Sequence, residues 1–241
     1  MDARPRGPGA LLARLVVPVA CPGCREPDVR WCEACEAPWW ERPLRCESGA
    51  PRLSAMEPPF AVWSIAPLDG PVHGAIAAWK DSGRRDLGSL LVPAMERAAH
   101  ALVPALRDVA ATVTVVPCPA RAAHTRRRGV DVPAVLARAA AAGLARGGVE
   151  ATVRAVLRPA RGSSRGAGDR GRWRAGPPRP TRAAWRDPRP TAALLVDDVL
   201  TTGATLARAT QALAASPLVP VAALVLASAE GPGQGPVVRR A

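Results

Sequence analysis

Residues 192–206, Ala-Ala-Leu-Leu-Val-Asp-Asp-Val-Leu-Thr-Thr-Gly-Ala-Thr-Leu, constrain the fold more than any other part of the 241-residue chain. A short apolar run ends in two adjacent carboxylates, Asp197 and Asp198, and Thr201-Thr202-Gly203-Ala204-Thr205 then opens a helical pattern. An uninterrupted apolar run bounded by turn residues reads as a strand buried on both faces, which belongs in a parallel sheet. The chemistry is that of a sugar-phosphate grip. Loop amides and threonine hydroxyls at a helix N-terminus cradle a phosphate, while the two carboxylates accept hydrogen bonds from vicinal hydroxyls. A turn that only capped a helix would not call for an acid pair, two threonines, a glycine and a third threonine in that order. The triphosphate-binding pattern GxxxxGK[ST] is absent, and no GxGxxG follows a strand.

From Phe60 onward the chain alternates short β-rich runs with longer Ala/Leu helices, the signature of an α/β fold with a parallel sheet flanked by helices. Strands are expected over 60–65, 113–116, 152–157, 193–196 and 219–226, and helices over 73–79, 87–101, 132–145 and 205–214. Residues 1–20 read as a tail and short helix, with Leu11, Leu12, Leu15 and Val16 on one face. The domain plan is then a Cys/Pro/Trp-rich module ending at residue 50, a hinge over 51–59, and the α/β domain over 60–241. Within it, residues 159–190 are rich in Arg, Gly and Pro with no periodic apolar face, and are expected to be a mobile loop or a lid ordered on binding. Aromatic residues make up only 3% and Tyr is missing, so the core must be aliphatic and base-stacking platforms are disfavoured.

The cysteines form a second strong pattern. Cys21-Pro-Gly-Cys24 and Cys32-Glu-Ala-Cys35 are two CxxC pairs seven residues apart. Each such turn aims two thiolates at one ion, and Gly23 eases the tight turn, so the two pairs can close a tetrahedral structural zinc site. Two disulfides would need an oxidising compartment, and a thioredoxin-type pair would need a βαβ context that is not found around it. Cys46 is a poorer ligand, since Gly49 occupies its partner position.

The net charge is +13, and Lys80 is the only lysine among 33 basic residues. Such a surface attracts polyanions, but an arginine bias spread through the whole chain is the favoured account of it. Arg14 and Pro18 interrupt the one N-terminal apolar run, so neither a membrane span nor a lipoprotein-type signal ending at Cys21 is expected, and the chain is read as cytoplasmic.

The 194–206 run resembles the ribose-phosphate signature of type I phosphoribosyltransferases, whose ligand is phosphoribosyl pyrophosphate (PRPP). Together with the double CxxC, the chain resembles the ComF-type competence family, in which a small zinc module precedes a phosphoribosyltransferase domain. The resemblance implies that Asp197 and Asp198 hold the ribose hydroxyls, that Thr201, Thr202, Gly203, Ala204 and Thr205 bind the 5′-phosphate, and that magnesium accompanies PRPP. Trp79-Lys80-Asp81-Ser82-Gly83 is similar to a lysine-containing segment of that family, which implies a catalytic role for Lys80. Val115-Val116-Pro117-Cys118-Pro119 is similar to its strand and pyrophosphate loop, which implies roles for Pro117, Cys118, Pro119 and Arg121, with Cys118 a packing residue. Arg128-Gly129-Val130-Asp131-Val132 stands where the family carries Asn and Gln amides. The implied role is in DNA uptake or competence, as a PRPP-dependent transferase or, alternatively, as an inactive sensing or scaffold module that contacts single-stranded DNA or the uptake machinery.

Overall fold

The computed structural model describes residues 19–54, 56, 60–119, 131–159 and 177–229. The helix expected over 11–16, Arg121 and the Arg126–Arg128 cluster, and residues 160–176 lie outside the described residues.

Six strands make one sheet in the order β1-β2-β8-β7-β3-β4. They are β1 (Leu44–Arg45), β2 (Ala61–Pro67), β3 (Thr112–Pro117), β4 (Glu150–Val153), β7 (Thr191–Leu200) and β8 (Leu218–Ser228). All pairings are parallel except that of β1 with β2. A separate antiparallel pair joins β5 (Leu157–Arg158) to β6 (Arg179–Pro180). The helices are α1 (Glu33–Glu36), α2 (Pro51–Ser54), α3 (Gly70–Asp81), α4 (Gly88–Ala101), α5 (Val103–Arg107), α6 (Val132–Arg146) and α7 (Ala204–Leu213). The expected α/β architecture is therefore present, a mostly parallel sheet flanked by helices.

Alternation along the central strands shows why their sequences are apolar throughout. Leu194 and Val196 of β7 join Leu224 and Leu226 of β8 in a core shared with α3, α4 and α6. Ala193 and Leu195 join Ala223 and Val225 in a second core with α2 and α7. Helices cover both faces, so the middle stretches of these strands, Ala193–Val196 and Ala222–Ala227, are apolar throughout. Local signals set the helix starts. Asp131 caps α6, its carboxylate accepting from the Ala134 N–H at 3.2 Å, and Pro71 and Pro133 lie in first turns, where a missing N–H is harmless.

Several boundaries differ from the expected ones, for physical reasons. The strand expected over 152–157 breaks after Val153, where a tight turn (Val156 N–H to Arg154 C=O, 2.9 Å) carries the chain off the sheet to place Val156 and Leu157 in the second core. The stretch expected to be a hinge begins as the helical turn α2, because Leu53 is drawn into that same core. Of the segment 159–190 expected to be a loop, the described part carries β6 and a 3-10 turn, Arg182–Trp185, whose Ala184 is buried. The cysteine segment also shares the first core rather than standing off from it, through the fully buried Trp39.

Strand β3 crosses over through α6 to β4 on one side, and β7 crosses through α7 to β8 on the other. The neighbouring ends of β3 and β7 are thus a topological switch point, where diverging connections open a crevice at the carboxyl edge of a parallel sheet.

The close approach of α4 and α6 depends on Gly143, where an added Cβ would lie 2.0 Å from the Glu96 carbonyl oxygen. Helix propensity alone would make Gly143→Ala stabilising, but here the methyl meets rigid backbone. We expect Gly143→Ala to lower unfolding free energy by about 1–3 kcal/mol in urea denaturation, as overpacking typically does.

Candidate functional site

The switch point carries the acid pair. Asp197 sits opposite Val225 in the sheet and is 8% exposed, while Asp198 begins to emerge from it. Burial, and next the Asp198 charge, push the Asp197 carboxyl up to about 8, against the opposing pull of the Asp198 N–H and Lys80. That N–H donates to Asp197 Oδ1 at 2.9 Å. Lys80, in the last turn of α3, places its Nζ 2.5 Å from Asp198 Oδ2. The only lysine of the chain thus meets the acid pair across 118 residues of sequence. Burial thus favours the protonated form of Asp197, and Lys80 pairs with Asp198. An anionic ligand therefore approaches two carboxylates without facing two negative charges.

The turn after the pair is built to present backbone. Gly203 adopts φ +76°, a left-handed conformation that glycine takes without penalty, and it directly precedes α7. No side chain caps α7, so the amides of its first turn lack intrahelical partners. Thr201, Thr202 and Thr205 are exposed around them, Gly203 is buried and Ala204 is half-buried. On the neighbouring strand, Pro117 ends β3 beside Val196, and Cys118 donates its N–H to the Val196 carbonyl at 2.8 Å. Burial, then the charges of Asp197 and Asp198, raise the Cys118 thiol well above its usual range, which makes it a packing group and not a nucleophile. Pro119 follows it at the same edge, and Arg121 lies outside the described residues.

The four expected cysteines come together at the N-terminal side. The Sγ atoms of Cys21, Cys24, Cys32 and Cys35 all lie within 4.8 Å of one another, positioned to hold one metal ion. Cys21 to Cys32 is 3.8 Å and Cys24 to Cys32 is 3.5 Å, close to the separation of about 3.8 Å set by tetrahedral zinc with bonds near 2.3 Å. Burial raises the Cys21 thiol, but the backbone amides of Cys24, Cys32 and Gly23 outweigh it and bring it down to about 7. Burial, then the neighbouring thiols, push Cys35 up. Cys46 stays apart, its thiol on the Val62 carbonyl.

This cysteine knot is seated on α3, the helix that carries Lys80. A Cβ on Gly74 would stand 2.2 Å from the Pro22 carbonyl oxygen, and one on Gly23 would meet both Cys35 Sγ and Pro71. Arg84, just beyond α3, donates to the carbonyls of Ala20 and Arg30, both at 2.9 Å, while also pairing with Asp86. Nothing in the sequence singles out Arg84 among so many arginines. Elsewhere, a cavity of about 520 Å³ is lined by Arg158, Arg179 and Arg182 and by none of the acid-pair or turn residues. Among the described residues no helix is long and apolar enough to cross a membrane.

No family model matches this chain, and no curated protein does.

Two outcomes follow from this geometry. Cys32→Ser, or chelation of the wild type, should strip the bound metal and unfold the 19–41 segment, because such small sites draw their folding energy from the ion. Metal analysis and near-ultraviolet dichroism of the tryptophans will report it. The second concerns Asp197, whose carboxyl lies near 8 in the folded chain against 3.8 when free. The folded state thus holds the extra proton, and stability must fall as pH rises from about 4 to about 8. Asp197→Asn should remove that fall, making the variant the more stable of the two at pH 8, with the gap closing towards pH 4 in urea titrations.

Proposed function

We propose that the chain is a PRPP-binding, phosphoribosyltransferase-like protein of the ComF type, with a structural zinc ion held by Cys21, Cys24, Cys32 and Cys35. The observation that carries this reading is the acid pair running directly into a left-handed glycine and an uncapped helix at the switch point of the sheet. A ribose 5′-phosphate matches that layout at both ends. The phosphate takes the unpaired first-turn amides of α7 and the hydroxyls of Thr201, Thr202 and Thr205. The ribose 2′- and 3′-hydroxyls donate to the carboxyl oxygens of Asp197 and Asp198, and Lys80 holds Asp198 in place. Magnesium would arrive with PRPP at the acid-pair end of this site and would offset negative charge on the leaving pyrophosphate. Pro117, Cys118 and Pro119 border the space beside β3 that the pyrophosphate would take.

Binding without efficient transfer is the second reading, and one observation favours it. Asp131 stands where the resemblance calls for an amide, and its carboxylate is engaged in capping α6. An acid there cannot donate to a departing pyrophosphate and repels it. A role in DNA uptake or competence, and contact with single-stranded DNA or the uptake machinery, rest on the resemblance.

Calorimetry with PRPP and magnesium, run beside a pyrophosphate-release assay over common purines and pyrimidines, tests both readings. Saturable binding with weak or no release is expected, and the Asp197→Ala, Asp198→Ala double variant should lose about 1.5–3 kcal/mol of affinity while remaining folded. Unchanged affinity in that variant contradicts the site, and brisk magnesium-dependent release that disappears in Lys80→Ala restores the full transferase.

A further inference from the structure

The turn that presents Thr201, Thr202 and Gly203 is backed by a segment distant in sequence. The Arg52 main-chain N–H donates to the Thr202 carbonyl oxygen at 3.0 Å. Leu53, 3% exposed, lies against Gly203 so closely that a Cβ there would stand 2.6 Å from Leu53 Cγ and 3.1 Å from the Ala50 Cβ. The Arg52 and Leu53 contacts come from α2, which is also anchored outside the 201–203 turn. Its own bonds include Leu53 N–H to the Ala50 carbonyl at 2.8 Å, and the stretch just before it is tied to β2 by Cys46 N–H to the Val62 carbonyl at 3.0 Å and by Val62 N–H to Glu47 Oε2 at 3.1 Å.

We propose that Leu53 and the Arg52 N–H are positioning residues that clamp the 201–203 turn, so that the tail of the cysteine segment sets the geometry of the phosphate-facing amides. A glycine such as Gly203, between Thr202 and Ala204, has more conformational freedom than any other residue type, and amides converge on an anion only when that freedom is removed. The Leu53 side chain closes the inner side of the turn and the Arg52 N–H fixes one carbonyl, which leaves the outer side, with Thr201, Thr202 and Thr205, free for a ligand. The effect on PRPP affinity rests on the function proposed above, whereas the clamp on the turn does not.

Two amides report the clamp without any ligand: Arg52 N–H, bonded to Thr202, and Ala207 N–H, bonded to the Gly203 carbonyl at 2.9 Å. Their hydrogen exchange would be measured in the full chain for wild type, Leu53→Ala, the milder Leu53→Val, Leu53→Met, and Leu213→Ala. Leu213 is fully buried in the same core at the opposite end of α7, so its truncation controls for lost packing alone. Leu53→Ala is expected to speed exchange at Arg52 and Ala207 at least tenfold relative to Leu213→Ala and to weaken PRPP binding about tenfold. Leu53→Val should do so to a lesser degree, and Leu53→Met should recover most of both. Equal exchange at these amides in the Leu53 and Leu213 variants overturns the clamp. An exchange difference between the Leu53 and Leu213 variants, with no PRPP taken up by the wild type, upholds the clamp and overturns the ligand assignment instead.

Discussion

Two adjacent carboxylates at the end of a buried strand have to be neutralised, and much of this structure is arranged around how that is done. Burial in the sheet pushes the Asp197 carboxyl towards its protonated form, and Lys80 pairs with Asp198. The second solution requires α3 to end beside the acid pair, and α3 is held along its length by the cysteine knot through the Gly23–Gly74 approach and the Arg84 bonds. The same N-terminal segment then passes the sheet edge as β1 and backs the 201–203 turn through Leu53. A region that reads as an appended module is in this way bound to the site at both of its ends.

The parts legible in the sequence were those whose physical cause is local. Apolar runs such as Leu194–Val196 announce strands, and their alternation with longer Ala/Leu stretches announces a parallel sheet flanked by helices. The double CxxC spacing brought four thiols together because each pair already shares one tight turn. Lys80 drew notice as the lone lysine, and its meeting with Asp198 became visible only in three dimensions.

What could not be read is whatever depends on contacts distant in sequence. Leu53 lies two residues after Pro51 in a polar, turn-rich stretch that reads as a hinge, and its burial comes from the second core and the hollow above Gly203. The two-residue strand β1 has no periodicity to detect, and its exposed residues owe their conformation to β2. Gly143 looks like a weak point in an alanine-rich helix until the Glu96 backbone is seen against it. Arg84 is one arginine among many, and its partners are carbonyls, which carry no sequence signal.

The arrangement gives an anion two possible destinations: the first-turn amides of α7 beside the acid pair, or the arginine-lined cavity at Arg158, Arg179 and Arg182. Binding at the former uses backbone and hydroxyl geometry, and binding at the latter uses charge alone. Backbone amide shifts of the isotope-labelled chain during titration with PRPP and magnesium separate the two most directly. The account predicts the largest shifts at Asp198, Thr202, Gly203, Ala204 and Thr205, whereas shifts confined to Arg158, Arg179 and Arg182, with 197–205 unmoved, would contradict it.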